Sequence, residues 1–229
     1  MPLDDLVIVT TLKLAFVVTC ALLVIGLPTA WWLCHGKSRF KPVIESVLLL
    51  PLVLPPTVLG FYLLVLLGPQ GSVGQILYQL GWQQLPFTFT GIAVACTIHS
   101  LPFVLQPLKN AFAAIGKRPM EVAATLRASP LDTFITVTLP LAWPGVLSSA
   151  VMGFCHTLGE FGVVLMIGGN IPGQTRVMSV EIYNHVEALD YLNAHILSAG
   201  LVGFSFLALL LIHWLNNLHK ARMELEIIE

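Results

Sequence analysis

Charged side chains are scarce in this sequence. Asp, Glu, Lys and Arg make up 10% of the 229 residues, whereas a soluble domain carries about 25%. Hydrophobic residues account for 56%, and the mean hydropathy is +0.86. This composition excludes an ordinary soluble domain and indicates an all-α, polytopic integral membrane protein in which each span satisfies its own backbone hydrogen bonds.

A nucleotide-binding phosphate loop is also missing. The pattern G-x-x-x-x-G-K-[ST] occurs nowhere in the chain, although this pattern cradles the phosphates in many ATPases. If ATP drives this protein, a separate subunit must bind it. We therefore expect no cofactor on this chain.

Residues in metal-binding or catalytic spacing are absent as well. The cysteines at 20, 34, 96 and 155 lie in or beside apolar segments, as small packed hydrophobes do. His99 and His156 belong to different apolar segments, and neither has a second histidine one turn away. We expect structural or pathway-lining hydrogen bonds from both, and neither a metal site nor a catalytic residue.

Long apolar runs predict five transmembrane helices, each about the 20 residues that a span needs. They cover residues 12–34, 43–67, 91–109, 139–168 and 192–216, in a single domain over 1–229. Pro51, Pro55 and Pro56 interrupt the second run. These prolines predict a bend, which serves either packing or the lining of a pathway.

The loops alternate in charge. Segment 35–41, the polar segment after the third span and the C-terminus with Lys220 and Arg222 are basic. Segments 1–10, with Asp4 and Asp5, 68–90 and 169–191 are not. Basic loops lie on the cytoplasmic side, so the pattern predicts an external N-terminus and a cytoplasmic C-terminus.

The segment 117–138 is too polar to cross a membrane and lies between the third and fourth spans. Pro119 fits the first turn of one short helix, and Ser129-Pro130 starts a second, with Asp132 completing a capping box. We call this segment the elbow. The small side chains of Ala123 and Ala124 let another protein surface approach the first helix closely.

The elbow resembles the cytoplasmic coupling motif of binding-protein-dependent ABC transporter permeases. Glu121, Ala123 and Ala124 match its start, with one residue inserted after the glutamate, and Val137-Thr138-Leu139-Pro140 matches its end. Arg127 stands where the family has a glycine in the left-handed conformation, which costs other residues about 1 kcal/mol or more. Either Arg127 or Ala128 accepts this strain, or the turn is built differently. The resemblance implies docking on an ATPase and transmission of movement through Glu121, Ala123, Ala124, Thr125, Leu126, Arg127, Leu139 and Pro140.

Three further motifs resemble the permeases of molybdate/tungstate importers, with sulfate/thiosulfate permeases as close kin. They are P-L-V-L-P-P at 51–56, L-G-E-F-G at 158–162 and N-I-P-G-Q-T at 170–175. The resemblance implies a permease homodimer in the lipid bilayer of a bacterial inner membrane. Two ABC ATPase subunits would lie on the cytoplasmic side and a substrate-binding protein outside, with no nucleic acid partner. Relatives often carry Arg where this chain has His156, so that fixed positive charge is missing here.

An oxyanion path through these spans must use hydroxyls and backbone dipoles, because the spans carry almost no Lys or Arg. The candidate path residues are Ser100, Ser148, Ser149, His156, Thr157 and Glu160. Glu160 is the only acid well inside an apolar segment. A carboxylate there is either functional or a structural group hydrogen-bonded across a helix break.

Two other classes of protein fit the sequence less well. An ion-coupled secondary transporter needs midplane charges and internal repeats, and neither is found in the sequence. A membrane-embedded enzyme needs clustered catalytic groups, whereas His99, His156 and Glu160 are scattered along the chain. Within the importer class, the sequence leaves a sulfate/thiosulfate permease as the alternative.

Overall fold

The computed structural model describes residues 5–228, with side chains as far as residue 212 and at Trp214. Asp4 and the side chains of Lys220 and Arg222 lie outside the described part. All regular elements of the described residues are helical. The helices are α1 (Asp5–His35), α2 (Lys41–Val53), α3 (Pro56–Leu67), α4 (Ser72–Gln79), α5 (Phe89–Ile115), α6 (Arg118–Thr125), α7 (Pro130–Asp132), a π-helical segment (Thr133–Thr138), α8 (Leu139–Leu158), α9 (Gly162–Gly168), α10 (Met178–Glu187) and α11 (Tyr191–Ile228).

Four or five of the described segments have the length and apolarity of membrane spans. The four single helices are Asp5–His35, Phe89–Ile115, Pro130–Leu158 and Tyr191–Ile212. A fifth is counted when α2 and α3, between which the chain bends by 115°, are taken as one span. The all-α membrane fold is therefore confirmed.

The bend between α2 and α3 lies where the prolines predict it. Leu54 is extended, with ψ at 137°, and Pro55 precedes the first residue of α3. A proline restricts the residue before it to extended backbone, and the two prolines lack the N–H groups that would continue the helix.

The segment predicted as the fourth span, residues 139–168, contains a helix break, which the sequence left open as an alternative at Glu160. α8 ends at Leu158, and α9 begins only at Gly162. At the other end, the helix begins early, because α7, the π-helical segment and α8 follow one another from Pro130 to Leu158. The second helix of the elbow is therefore the first turn of the span that follows it.

α5 forms the centre of the structure and packs against α1 and α8. Its contact with α8 is close, because a Cβ added at Gly145 would lie 2.2 Å from Ala111 Cβ. A Cβ added at Gly153 would lie 2.6 Å from Val104 Cγ2. Ser149, fully buried, lies between these glycines. This row of small residues, four apart, brings the two backbones together as membrane helix interfaces commonly do.

The connection between α9 and α10 is held by side-chain hydrogen bonds. The Thr175 hydroxyl donates to Gly168 O at 2.6 Å and accepts from Ile171 N at 3.2 Å. The Met178 amide donates to Thr11 Oγ1 at 2.8 Å. The last of these bonds fastens the start of α10 to α1.

Candidate functional site

The first helix of the elbow, α6, ends in a Schellman motif. The Ala128 amide donates to Ala123 O at 3.1 Å, and the Arg127 amide donates to Ala124 O at 3.0 Å. Arg127 itself has a φ of +58°. This bond pair with a left-handed residue is the arrangement that glycine favours at a helix end. Of the alternatives open from the sequence, Arg127 is the residue that accepts the strain.

Among the described residues, the Arg127 side chain makes no ion pair that would offset this strain. The side chain is exposed. A non-glycine residue in the left-handed region costs about 1–2 kcal/mol. The elbow therefore adopts the left-handed turn that glycine favours, and the ion pairs among the described residues do not offset its free-energy cost.

The two elbow alanines lie in different environments. Ala123 is 6% exposed and is the one buried residue of α6, which packs against the π-helical segment. Ala124 is exposed. The expectation that both alanines face a partner is therefore wrong for Ala123, because the elbow folds back on its own second helix. The exposed face of the first helix consists of Glu121, Val122, Ala124, Thr125 and Leu126, the last being 77% exposed.

The second helix of the elbow begins at the predicted cap. Ser129 Oγ accepts a hydrogen bond from the Asp132 amide at 3.2 Å, and Pro130 takes the first turn. Pro140 lies just after the π-helical segment. A π-turn fits this position, because its wider spacing keeps the Pro140 ring away from the carbonyl four residues back. Leu139 and Pro140 therefore lie inside a continuous helix and not at its start.

A buried polar cluster connects α5, α8 and the interruption that follows α8. His99 Nε2 lies 3.2 Å from Glu160 Oε2, and their side chains are 7% and 5% exposed. Ser100 Oγ lies 3.0 Å from His156 Nδ1. The Phe103 ring stacks on His156 with 3.7 Å between ring centroids. The expectation that these polar groups are scattered is wrong, because the packing of α8 on α5 brings them together.

Glu160 bonds across the helix interruption. Its Oε1 atom accepts from the Val163 amide at 3.1 Å, and its carbonyl oxygen accepts from the Ser179 hydroxyl at 2.6 Å. The carboxylate thus satisfies a backbone donor that the interruption leaves unpaired. The structure therefore contains the hydrogen bond across a helix break that the sequence offered as the structural alternative for Glu160. The same carboxylate also contacts His99.

The cluster also has the donors of a metal site. One nitrogen from each of His99 and His156 and one carboxylate oxygen of Glu160 all lie within 4.8 Å of one another. The sequence reasoning missed this group because it looked for ligands one helical turn apart. A better signal was the coincidence of two histidines and an acid within otherwise uncharged apolar segments.

The remaining path candidates lie elsewhere. Ser149 and Thr157 are buried, and their hydroxyls donate to Gly145 O at 2.7 Å and Gly153 O at 2.8 Å. Ser148 lines a groove of about 670 Å³ between α5, α8 and the start of the elbow. The groove is lined by Pro107, Asn110, Ala111, Ala114, Ile115, Pro119, Leu141, Ala142, Pro144, Gly145 and Ser148. The predicted path residues are thus divided among the cluster, the packed helix interface and this groove.

The polar groups around α10 bond to one another. Arg176 Nη1 lies 3.4 Å from Glu181, and His185 lies 3.7 Å from Glu181 and 3.1 Å from Asp190. The Asn193 side-chain amide donates to Asp190 Oδ2 at 2.7 Å. This hydrogen bond lowers the pKa of the Asp190 carboxyl. The network therefore joins the end of α10 to the start of α11.

The comparisons with known proteins agree with this architecture. The family model described as "Binding-protein-dependent transport system inner membrane component" matches residues 22–225. Among solved structures, the chain resembles the inward-facing MetNI methionine ABC transporter, with a TM-score of 0.69, 17% identity and coverage of 92% of this chain and 93% of that one. A bacterial alginate ABC importer gives 0.67 at 18% identity, covering 93% and 79%. At these identities the structures support the fold.

Curated relatives are more similar in sequence. The molybdenum transport system permease protein ModB of Azotobacter vinelandii is 61% identical over 199 residues, 87% of this chain and 88% of that protein. ModB of Haemophilus influenzae is 34% identical, with 82% of each chain covered. A probable sulfate transport system permease protein of Chlorella vulgaris is 32% identical, covering 89% of this chain and 76% of its own.

Proposed function

The chain belongs to the family of inner membrane components of binding-protein-dependent transport systems, and from this premise we propose that it is the permease subunit of an ATP-driven importer for molybdate. The choice of molybdate as the substrate rests on the 61% identity to a molybdenum permease over 87% of the chain, compared with 32% identity to a sulfate permease. Tungstate has the same shape and charge as molybdate and is included in the proposal. The permease is not an enzyme by itself, because a separate subunit hydrolyses ATP.

The elbow is the proposed contact with the ATPase. Its exposed face combines one acid, Glu121, with Val122 and Leu126, which are 60% and 77% exposed. Apolar side chains exposed to this degree on a polar segment fit a surface that a partner covers. The small side chain of Ala124 lets the partner approach the helix backbone.

Helix continuity supports the proposal that movement is transmitted through the elbow. The second elbow helix runs without a gap through Leu139 and Pro140 into α8. A displacement imposed on the elbow by ATP-driven closure of the ATPase pair is therefore carried along α8 towards His156. The two transporter states differ in how strongly the ATPase binds the elbow, which is how ATP shifts their populations.

The anion path is proposed to run past Ser148 in the groove and past the cluster of Ser100, His156 and Glu160. The sequence contains no Lys or Arg from 128 to 175. A path with few fixed positive charges binds a dianion weakly, so that transport does not stall. Affinity then resides in an external binding protein, which is the proposed partner on the other side of the membrane.

A homodimer in the bacterial inner membrane completes the proposal. This chain leaves the groove between α5 and α8 open, and a second copy can close it. Light scattering on the purified permease–ATPase complex measures the stoichiometry. We expect a complex of two permease chains and two ATPase chains. An active complex with a single permease chain would contradict the dimer.

Substrate identity is tested by uptake. The permease is reconstituted in liposomes with its ATPase and binding protein, and radioactive molybdate uptake is followed with ATP inside. We expect ATP-dependent uptake that unlabelled tungstate reduces and excess sulfate leaves unchanged. Uptake of sulfate without uptake of molybdate would assign the protein to the sulfate/thiosulfate permeases.

The orientation is proposed from loop charge, with the N-terminus outside and the C-terminus in the cytoplasm. Gln84 and Lys117 are both exposed and lie on loops that this topology places on opposite sides. A cysteine at Gln84 should react with an impermeant thiol reagent in intact spheroplasts, and one at Lys117 only after lysis. The native cysteines are first replaced by alanine. Labelling of both positions from one side contradicts the topology.

A further inference from the structure

The buried cluster, past which the anion path is proposed to run, also contains the ligand set of a metal site. His99 and His156 each offer a ring nitrogen and Glu160 a carboxylate oxygen, all within 4.8 Å of one another. We propose that these three side chains bind one divalent transition-metal ion, for which Zn²⁺ is the best match.

Two histidines and a glutamate are the protein ligands of a common class of zinc site, which keeps a fourth position open. Zinc–nitrogen and zinc–oxygen distances of about 2.0–2.2 Å place tetrahedral ligand atoms about 3.4 Å apart. The His99–Glu160 pair, at 3.2 Å, already has this separation. All three ligand atoms lie within 4.8 Å of one another, so binding requires His156 to move closer to this pair.

The His156 ring is held as a metal ligand usually is. Nδ1 lies 3.0 Å from Ser100 Oγ, and Phe103 stacks on the ring. When Nδ1–H donates to the serine, the lone pair of the ring lies on Nε2. Such an outer hydrogen bond fixes the tautomer of a ligating histidine and raises its basicity.

The cluster does not satisfy its own polar groups. Within the described residues, His99 Nδ1 is buried and has no hydrogen-bond partner. The Glu160 carboxylate bonds to His99 and to the Val163 amide, with no Lys or Arg in its span or in α9. A buried carboxylate is costly unless it is paired or coordinates a metal. With neutral histidines, a divalent ion changes the charge of the cluster from −1 to +1, which compensates the buried carboxylate.

The test measures metal binding directly. The detergent-solubilised permease–ATPase complex, without a histidine tag and without nucleotide, is stripped with a chelator and titrated with Co²⁺. We expect one Co²⁺ per permease chain, with the visible absorption of a four-coordinate site, and its displacement by Zn²⁺. This readout is independent of transport and of the identity of the transported anion.

Variants then locate the ion. His156→Ala and Glu160→Gln each remove a ligand and should lower cobalt affinity by about 100-fold or more, since loss of an outer partner alone costs about 10–100-fold. Ser100→Ala keeps all three ligands and should lower affinity by about 10–100-fold. His195→Ala, at an exposed histidine, and Ser149→Ala, at a buried serine bonded within its own helix, are the matched controls and should bind as the wild type does.

A wild-type complex that binds no stoichiometric Co²⁺ or Zn²⁺ would overturn the proposal and leave the cluster as a structural hydrogen-bond network. Binding that Ser100→Ala and Glu160→Gln leave unchanged would place the ion elsewhere and overturn it equally. If His156→Ala does not assemble with the ATPase, the wild-type titration and Ser100→Ala decide the matter.

Discussion

The elbow and the buried cluster are built in opposite ways. All the bonds that shape the elbow join residues at most five positions apart, such as Ala128 to Ala123 and Asp132 to Ser129. The cluster joins Ser100 to His156 and His99 to Glu160, across more than fifty residues of chain. The elbow side chains proposed for docking are exposed, whereas His99 and Glu160 are almost completely buried.

This difference separates the expected effects of substitution. Substitution of exposed residues away from special backbone positions changes stability by about 0.5 kcal/mol or less. Substitutions on the exposed face of the elbow should therefore affect binding of the ATPase. Buried polar groups that lose their partner cost several times more. Substitutions in the cluster should therefore lower the stability of the permease measured without its partners.

The largest effect is expected for His99→Leu. This change removes the ring that faces the buried Glu160 carboxylate, and loss of one partner of a buried pair costs about 3–5 kcal/mol. Glu121→Ala on the elbow is the matched control, expected to stay within about 0.5 kcal/mol of the wild type. Unfolding of the detergent-solubilised permease measures both. Equal stability of the two variants would mean that the cluster does not hold α5 to the interruption after α8.

The next effect distinguishes the two alanines of the elbow. Ala123→Trp forces a large ring between α6 and the π-helical segment and should destabilise the permease by about 1–3 kcal/mol. Ala124→Trp should leave the unfolding curve unchanged and reduce retention of the ATPase on the immobilised permease. Normal ATPase retention by Ala124→Trp would show that the docking surface does not include this face.

Arg127 gives a smaller effect of opposite sign. Arg127→Gly removes the left-handed strain and should stabilise the isolated permease by about 1 kcal/mol. Arg127→Leu keeps the strain and loses no ion pair found within the described chain, so its stability should equal that of the wild type. Lower ATPase retention by Arg127→Leu alone would assign the side chain to the partner. A destabilised Arg127→Gly would mean that the arginine makes a contact that this chain does not show.

The smallest effect is expected for the network around α10, which is partly exposed and joins two helices as the cluster does. The hydrogen bond from Asn193 lowers the pKa of the Asp190 carboxyl below its ordinary value. A carboxyl whose folded pKa is lowered stabilises the fold above its unfolded pKa, and this contribution is lost as the pH falls through the folded pKa. Asn193→Ala should raise the Asp190 pKa and move the acid loss of stability to higher pH. Carbon-13 NMR of labelled Asp190 measures it, with Asn170→Ala as the control, and an unchanged pKa contradicts the assignment.

Local signals made parts of the fold predictable. The prolines at 55 and 56 predict the bend between α2 and α3, and Ser129 predicts the start of the second elbow helix. In both places the deciding bonds join close neighbours in the chain. The glycine position of the coupling motif left Arg127, Ala128 or a different turn as alternatives, and the positive φ of Arg127 in the structure decided among them.

The amino-acid sequence by itself determined the membrane class and the loop charge, since both are sums over neighbouring residues. Only the tertiary structure decided that the fourth span is interrupted at Gly159–Phe161, because hydropathy averages over a window and Glu160 supplies the side-chain bond that makes an interruption tolerable there. It also decided that Ala123 is buried and that His99, His156 and Glu160 meet. These outcomes depend on which helix faces pack together, and the close approach of α8 to α5 at Gly145 and Gly153 sets that packing.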